Sequence, residues 1–134
     1  MDATSRRVVR TTELEVLRPG HCTLALALRD ELMQQHGFAH GGVLSYLADN
    51  ALTYAGGTAM RVPVVTAEFK INYLRPALGE RLVARADALH VSRSQAVCRC
   101  EVFAVQSGQE KLCAVAQGTV VKLGEAPPVP GEAV

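Results

Sequence analysis

The chain has 134 residues, 49% hydrophobic, 20% charged and only 4% aromatic, with a formal net charge of +1. Those values describe one globular domain whose core is built from Val, Leu and Ala, there being no Trp. The near-neutral charge gives no electrostatic case for nucleic acid, and no apolar run reaches the roughly 20 residues of a membrane-spanning helix.

Residues 1–11 read as a flexible polar arm, with no apolar run close enough to make a signal peptide. From Thr12 to Leu28 two extended runs flank the turn signal Arg18-Pro19-Gly20-His21, so a hairpin is expected. Arg29 to Ala39 is a connecting loop. A long helix is expected from Gly41 to about Thr58, ended by Gly56-Gly57. It is apolar nearly all round and so expects burial. Ser45, Asp49, Thr53 and Gly56 share one side of it.

Four strands follow, over 62–74, 81–91, 95–105 and 111–123, with a tight hairpin at Ser107-Gly108-Gln109. In the first, alternation puts Val65, Ala67, Phe69, Ile71 and Tyr73 on one face and Thr66, Glu68, Lys70 and Asn72 on the other. Residues 124–134 are Pro/Gly-rich and read as a disordered tail. The whole is a single α+β domain over 12–123: a long central helix wrapped by a curved antiparallel sheet of about five to six strands. Cys22, Cys98, Cys100 and Cys113 lack metal-knuckle spacing and read as reduced, mostly buried thiols of a cytoplasmic protein, with no metal.

The chemistry concentrates at the helix. Gly41 and Gly42 stand where loop becomes helix, and the first helical N–H groups have no intrahelical partner at the positive end of the dipole. Bare glycines let a ligand oxygen approach those donors, which suits a developing oxyanion. Asp49 is an acid in an otherwise apolar helix. It lies seven residues after Gly42, which is roughly 10 Å along the axis. A carboxylate must work about 3 Å from the atom it attacks or deprotonates. Two antiparallel copies of the helix would bring each Asp49 to the other copy's glycines, so the spacing leads to an expected homodimer with shared sites.

The run His36-Gly37-Phe38-Ala39-His40-Gly41-Gly42, then Leu47-Ala48-Asp49-Asn50-Ala51, closely resembles the PaaI-like branch of hotdog-fold acyl-CoA thioesterases. Ile71-Asn72-Tyr73-Leu74-Arg75-Pro76-Ala77 resembles the strand ending of that branch. The resemblance covers roughly residues 12–122 and implies hydrolysis of acyl-CoA, aryl or of short to medium chain, with no cofactor because CoA belongs to the substrate. It implies that the N–H of Gly41 or Gly42 polarises the thioester carbonyl and that Asp49 is nucleophile or general base. Gln34 matches a loop Asn of the family and is one methylene longer, and Thr66 matches a Ser or Thr that orients water or the carboxylate. His36 and His40 become positioning groups beside the substrate, bonding the loop and capping the helix, with Asn50 next to the acid. Arg75 and Arg93, with Arg61 and Lys70, are candidates for the CoA phosphates. The family also implies a dimer of dimers.

Other readings stay open. Gln34 in place of Asn keeps alive a non-hydrolytic acyl-CoA or aromatic-ligand binding protein. A hydratase needs an acid–His pair, and His40 is nine residues from Asp49 with poor helical alignment. In a purely structural protein Asp49 would only bond Ser45 or Thr53.

Overall fold

The computed structural model describes residues 12–29, 32–33 and 37–124. Two strands, β1 (Thr12–Arg18) and β2 (His21–Ala27), precede the helix α1 (Gly41–Met60). Four more follow: β3 (Val64–Tyr73), β4 (Arg81–Val91), β5 (Gln95–Gln106) and β6 (Gln109–Lys122). They form one six-stranded sheet in the order β1-β2-β4-β5-β6-β3, every neighbouring pair antiparallel. The helix lies across one face, so the expected hotdog architecture is what the chain adopts. The arm over 1–11 and the tail beyond Gly124 lie outside the described residues.

The helix is held by burial rather than by propensity. Two interior glycines, Gly56 and Gly57, cost it about 2 kcal/mol relative to alanines. Leu44, Leu47 and Leu52, all buried, contribute about 1.5–3 kcal/mol each, which outweighs that cost. The burial is one-sided, however. Val43, Leu44, Leu47, Ala48, Ala51, Leu52, Ala55 and Gly56 face the sheet. Asp49, Asn50 and Thr53 stay partly exposed and Tyr54 is 46% exposed. The sequence expectation of burial all round therefore holds for half the circumference.

The glycine pair does not end the helix. α1 runs on to Met60, and Arg61, in the left-handed region at φ 60°, donates its N–H to Gly57 O at 2.8 Å. Gly56 serves close packing instead: a Cβ there would overlap Val120 Cγ2 and sit 3.2 Å from Cys98 Sγ. The sheet meets the helix with a carpet of small side chains, Ala84, Ala86, Ala96, Cys98, Cys100, Ala114 and Ala116, all buried. All four cysteines are buried and unpaired. Ser107 and Gly108, with φ of 51° and 78°, make the two-residue primed turn that the right-handed twist of a hairpin favours. Among the described residues no helix is long and apolar enough to cross a membrane.

Candidate active site

The site begins with an irregularity in β3. Thr66 pairs with Val120 and Glu68 with Thr119, so Ala67 is an extra residue in the ladder. The bulge shifts the phase of the alternation. Val64, Thr66, Phe69 and Ile71 turn inward, while Val65 and Ala67 are exposed. Strict alternation from the sequence had put Val65 and Ala67 on the face of Phe69 and Thr66 on the opposite one. For those three residues the faces are reversed, because one inserted residue inverts every side chain before it.

The inward turn brings Thr66 to the helix acid. Its hydroxyl donates to Asp49 Oδ1 at 2.7 Å. One turn further along α1, the Thr53 hydroxyl donates to the backbone O of Asp49 at 2.8 Å and lies 3.2 Å from Thr66 Oγ1. Among the described residues no donor reaches Asp49 Oδ2. The carboxylate is thus pinned by one oxygen and open at the other. Of the two partners the structural reading offered Asp49, Thr53 takes the backbone carbonyl and not the carboxylate. Thr53 was legible as a neighbour from its i+4 spacing; its contact with Thr66 was not.

The second part of the site is the start of α1. His40 occupies the N-cap position with φ −62° and ψ 140°, yet its side chain makes no cap hydrogen bond, so the expected capping role is not met. Val43 N–H is satisfied by His40 O at 3.0 Å. Among the described residues no acceptor sits on the N–H of Gly41 or Gly42. A Cβ on Gly42 would meet nothing within 4 Å, so this end of the helix is open to a ligand. On Gly41 lies Tyr73, which sequence reasoning placed on a strand face but not at the site; its hydroxyl donates to Gly41 O at 3.1 Å.

Backbone hydrogen bonds fix the loop beyond Tyr73. Cys113 bulges out of β6, and its carbonyl accepts the N–H of Leu74 at 2.8 Å and of Arg75 at 3.4 Å. Ala77 O accepts Ala39 N–H at 3.0 Å, which ties this loop to the segment entering the helix. Between them is a cavity of ≈ 460 Å³ lined by Phe38, Gly41, Leu44, Tyr73, Leu74 and Pro76 among others. Its walls are mostly apolar and open onto the glycine donors, the form of a small-molecule site.

The remaining predicted residues fall around this frame. Gln34 and His36 lie outside the described residues. Asn50 is half-buried beside Asp49. Arg75 lines the cavity at the glycine end. Arg93 sits in the turn between β4 and β5, whose Ser94 O accepts Lys122 N–H at 3.0 Å; this is the end of the sheet where α1 finishes. Within one chain, then, Arg75 and Arg93 stand at opposite ends. The two halves of the chemistry are also apart, Gly42 and Asp49 being separated by roughly 10 Å along the helix axis.

A carboxylate with one free oxygen, open helix N–H donors and an apolar cavity are the parts of an acyl-transfer site. The profile of the thioesterase superfamily matches residues 36–111, a span that includes both parts. With this fold and this match the chain is a thioester hydrolase: it belongs to the thioesterase superfamily, as a PaaI-like hotdog-fold member. Acyl-coenzyme A thioesterase PaaI of Escherichia coli is 29% identical over 106 residues, 78% of this chain and 73% of that protein. A thioesterase family protein from Silicibacter pomeroyi superposes with a TM-score of 0.81 at 34% identity, over 90% of this chain and 92% of its own. A mutant form of phenylacetic acid degradation protein PaaI from Thermus thermophilus gives 0.75 at 37%, over 91% and 100%.

Proposed function

We propose that the protein hydrolyses acyl-CoA thioesters, with aryl or short to medium acyl groups, in sites shared between two antiparallel copies of α1. The observation that carries this reading is the separation within one chain: a pinned, half-free carboxylate at Asp49 and open N–H donors roughly 10 Å away. One copy's Asp49 facing the other copy's glycine end removes the gap. The partly exposed polar side of α1 and the exposed Tyr54 beside it suit such a partner. Pairing of dimers into a tetramer fits the same family.

In this scheme the acyl group lies in the apolar cavity and the thioester oxygen accepts the N–H of Gly41 or Gly42. Asp49 Oδ2 either takes a proton from water as it attacks, or attacks the carbonyl itself. The tetrahedral oxyanion that results is stabilised by donors already in place, an effect worth about 3–4 kcal/mol. Collapse expels CoA thiolate, a good leaving group; on the general-base route this leaves the free acid, and on the direct-attack route an acyl–Asp49 anhydride that a water molecule then hydrolyses to the acid, restoring the carboxylate. Gln34 and Asn50 hold water or the acyl carbonyl, His36 and His40 position the loop, and Arg75 of one copy with Arg93 of the other meets the CoA phosphates. The naming of the Thermus relative for phenylacetic acid degradation favours aryl esters within the class.

The test is thiol release from a panel of aryl- and straight-chain acyl-CoA esters. Turnover that falls by about a hundredfold or more in Asp49→Ala supports the scheme. Folded protein that binds esters and releases no thiol moves the reading to a non-hydrolytic ligand-binding role. Sharing is tested by mixing two inactive variants, Asp49→Ala and Gly42→Val, under conditions that exchange subunits. Mixed dimers hold one intact site and regain activity; no gain refutes the shared arrangement.

A further inference from the structure

Thr53 has no role in the scheme above, yet its hydroxyl touches the Thr66 hydroxyl and the backbone carbonyl of Asp49. Three contacts link four oxygens: Thr66 Oγ1 to Asp49 Oδ1 at 2.7 Å, Thr53 Oγ1 to Asp49 O at 2.8 Å, and Thr53 Oγ1 to Thr66 Oγ1 at 3.2 Å. The proton count decides how the set is wired. An ionised carboxylate only accepts, so the single Thr66 proton goes to Asp49 Oδ1. The contact between the two hydroxyls then needs the Thr53 proton. Thr53 shares that proton between the carbonyl one turn back and the Thr66 lone pair.

We infer that Thr53 is a positioning residue for hydrolysis: it donates to Thr66, which fixes the Thr66 hydroxyl on Asp49 Oδ1 and leaves Oδ2 aimed at the reacting water or carbonyl. The inference rests on the reading of Asp49 as the reacting carboxylate. Two further features support it. The bulge at Ala67 turns Thr66 inward but leaves it on a sheet edge, where the strand has a neighbour on one side only. Thr53, on the helix, gives the Thr66 hydroxyl a second partner there. Hydroxyls in series also polarise one another, so the Thr66–Asp49 bond is stronger with Thr53 behind it than alone. Thr53 touches neither Asp49 Oδ2 nor the cavity, so it acts through Thr66.

The experiment compares Thr53→Val, which keeps the shape and removes the hydroxyl, with Thr53→Ser, which keeps the hydroxyl. Each is made in the wild type and in Thr66→Val, with phenylacetyl-CoA or the fastest ester of the panel as probe. Thr53→Val is expected to lower kcat about three- to tenfold with KM unchanged, as for loss of one hydrogen bond, and Thr53→Ser to restore most of it. In the Thr66→Val background Thr53→Val is expected to change kcat by less than about twofold, since the path through Thr66 is already broken. Thermal melts are run alongside. A shifted Tm with kcat unchanged makes Thr53 structural and overturns the inference. So does an equal loss of kcat in both backgrounds, which means Thr53 acts independently of Thr66. Full activity in Asp49→Ala removes the underlying reading together with the inference, whereas an inactive Asp49→Ala beside a fully active Thr53→Val removes the inference alone.

Discussion

Replacing Gly56 with Ala tests whether helix packing and the site are one mechanical unit. By propensity alone an interior Gly→Ala change stabilises a helix by about 1 kcal/mol. Here the added methyl overlaps Val120 Cγ2 and lies 3.2 Å from Cys98 Sγ. Val120 is β-branched, with one favoured rotamer, and is 1% exposed, so it has nowhere to swing. Overpacking of that kind costs about 1–3 kcal/mol. The expected net is a loss of up to about 2 kcal/mol, or a fall in Tm of several degrees for a chain of this size. Val120 is also the ladder partner of Thr66, so a sheet pushed from Gly56 moves the hydroxyl that pins Asp49. Thermal or urea melts measure the first effect, and kcat per folded molecule the second, expected to fall severalfold. A variant that melts higher than wild type and keeps full kcat refutes the reasoning, because helix and sheet are then not in tight contact at this point.

Gly42→Ala is the converse case. Its Cβ meets nothing within 4 Å and its backbone is helical, so stability should hold or rise slightly, while kcat/KM should fall about tenfold or more if a carbonyl must reach that N–H. Full activity in this variant argues against a ligand at the helix end. The Arg85 guanidinium, 4.9 Å over the Phe103 ring, meets Glu110 at 2.5 Å and holds that carboxyl below its ordinary value of 4.5. A depressed carboxylate stabilises the fold above its unfolded pKa and loses that contribution as pH falls through the folded one. Glu110→Gln should therefore cost a few tenths of a kcal/mol at neutral pH, the pair being partly exposed, and nothing once the wild-type carboxyl is protonated. Denaturant melts at pH 7 and at successively more acid pH, until wild type and variant coincide, check the convergence. Burial pushes the thiols of Cys22 and Cys98 up to about 11 and that of Cys100 to about 12. Disulfide exchange reagents at pH 8 should leave these three unlabelled in the native protein and label them after unfolding; rapid native labelling of any of them contradicts the burial.

Much of this was legible in the residues, for physical reasons that can be named. The start of α1 shows because glycines and an apolar periodic run meet at His40-Gly41-Gly42. The strands show because their faces differ in polarity. Asp49 shows because an acid in an apolar helix is conspicuous. What failed to show depends on distant partners. Ala67 looks like any alternating residue until Thr119 and Val120 set the register around it. Gly56-Gly57 has the composition of a helix end, and only the approach of Val120 and Cys98 explains why the helix runs through. Tyr73 reads as one more apolar strand residue, and its contact with Gly41 spans 32 residues of chain. Arg75 and Arg93 look equivalent as surface cations until the sheet separates them.

The carpet of alanines and cysteines beneath α1 has a consequence for how such an enzyme changes over time. With small side chains on the sheet and Gly56 on the helix, the two surfaces meet closely. In the proposed scheme the acyl group is accommodated at the rim, where Phe38, Leu74 and Pro76 stand. Most residues that hold the molecule together are thus distinct from those at the rim, with Leu44 serving in both. Mutation can lengthen, shorten or reshape the rim while the interior stays constant, so diversification in substrate need not pass through loss of the fold.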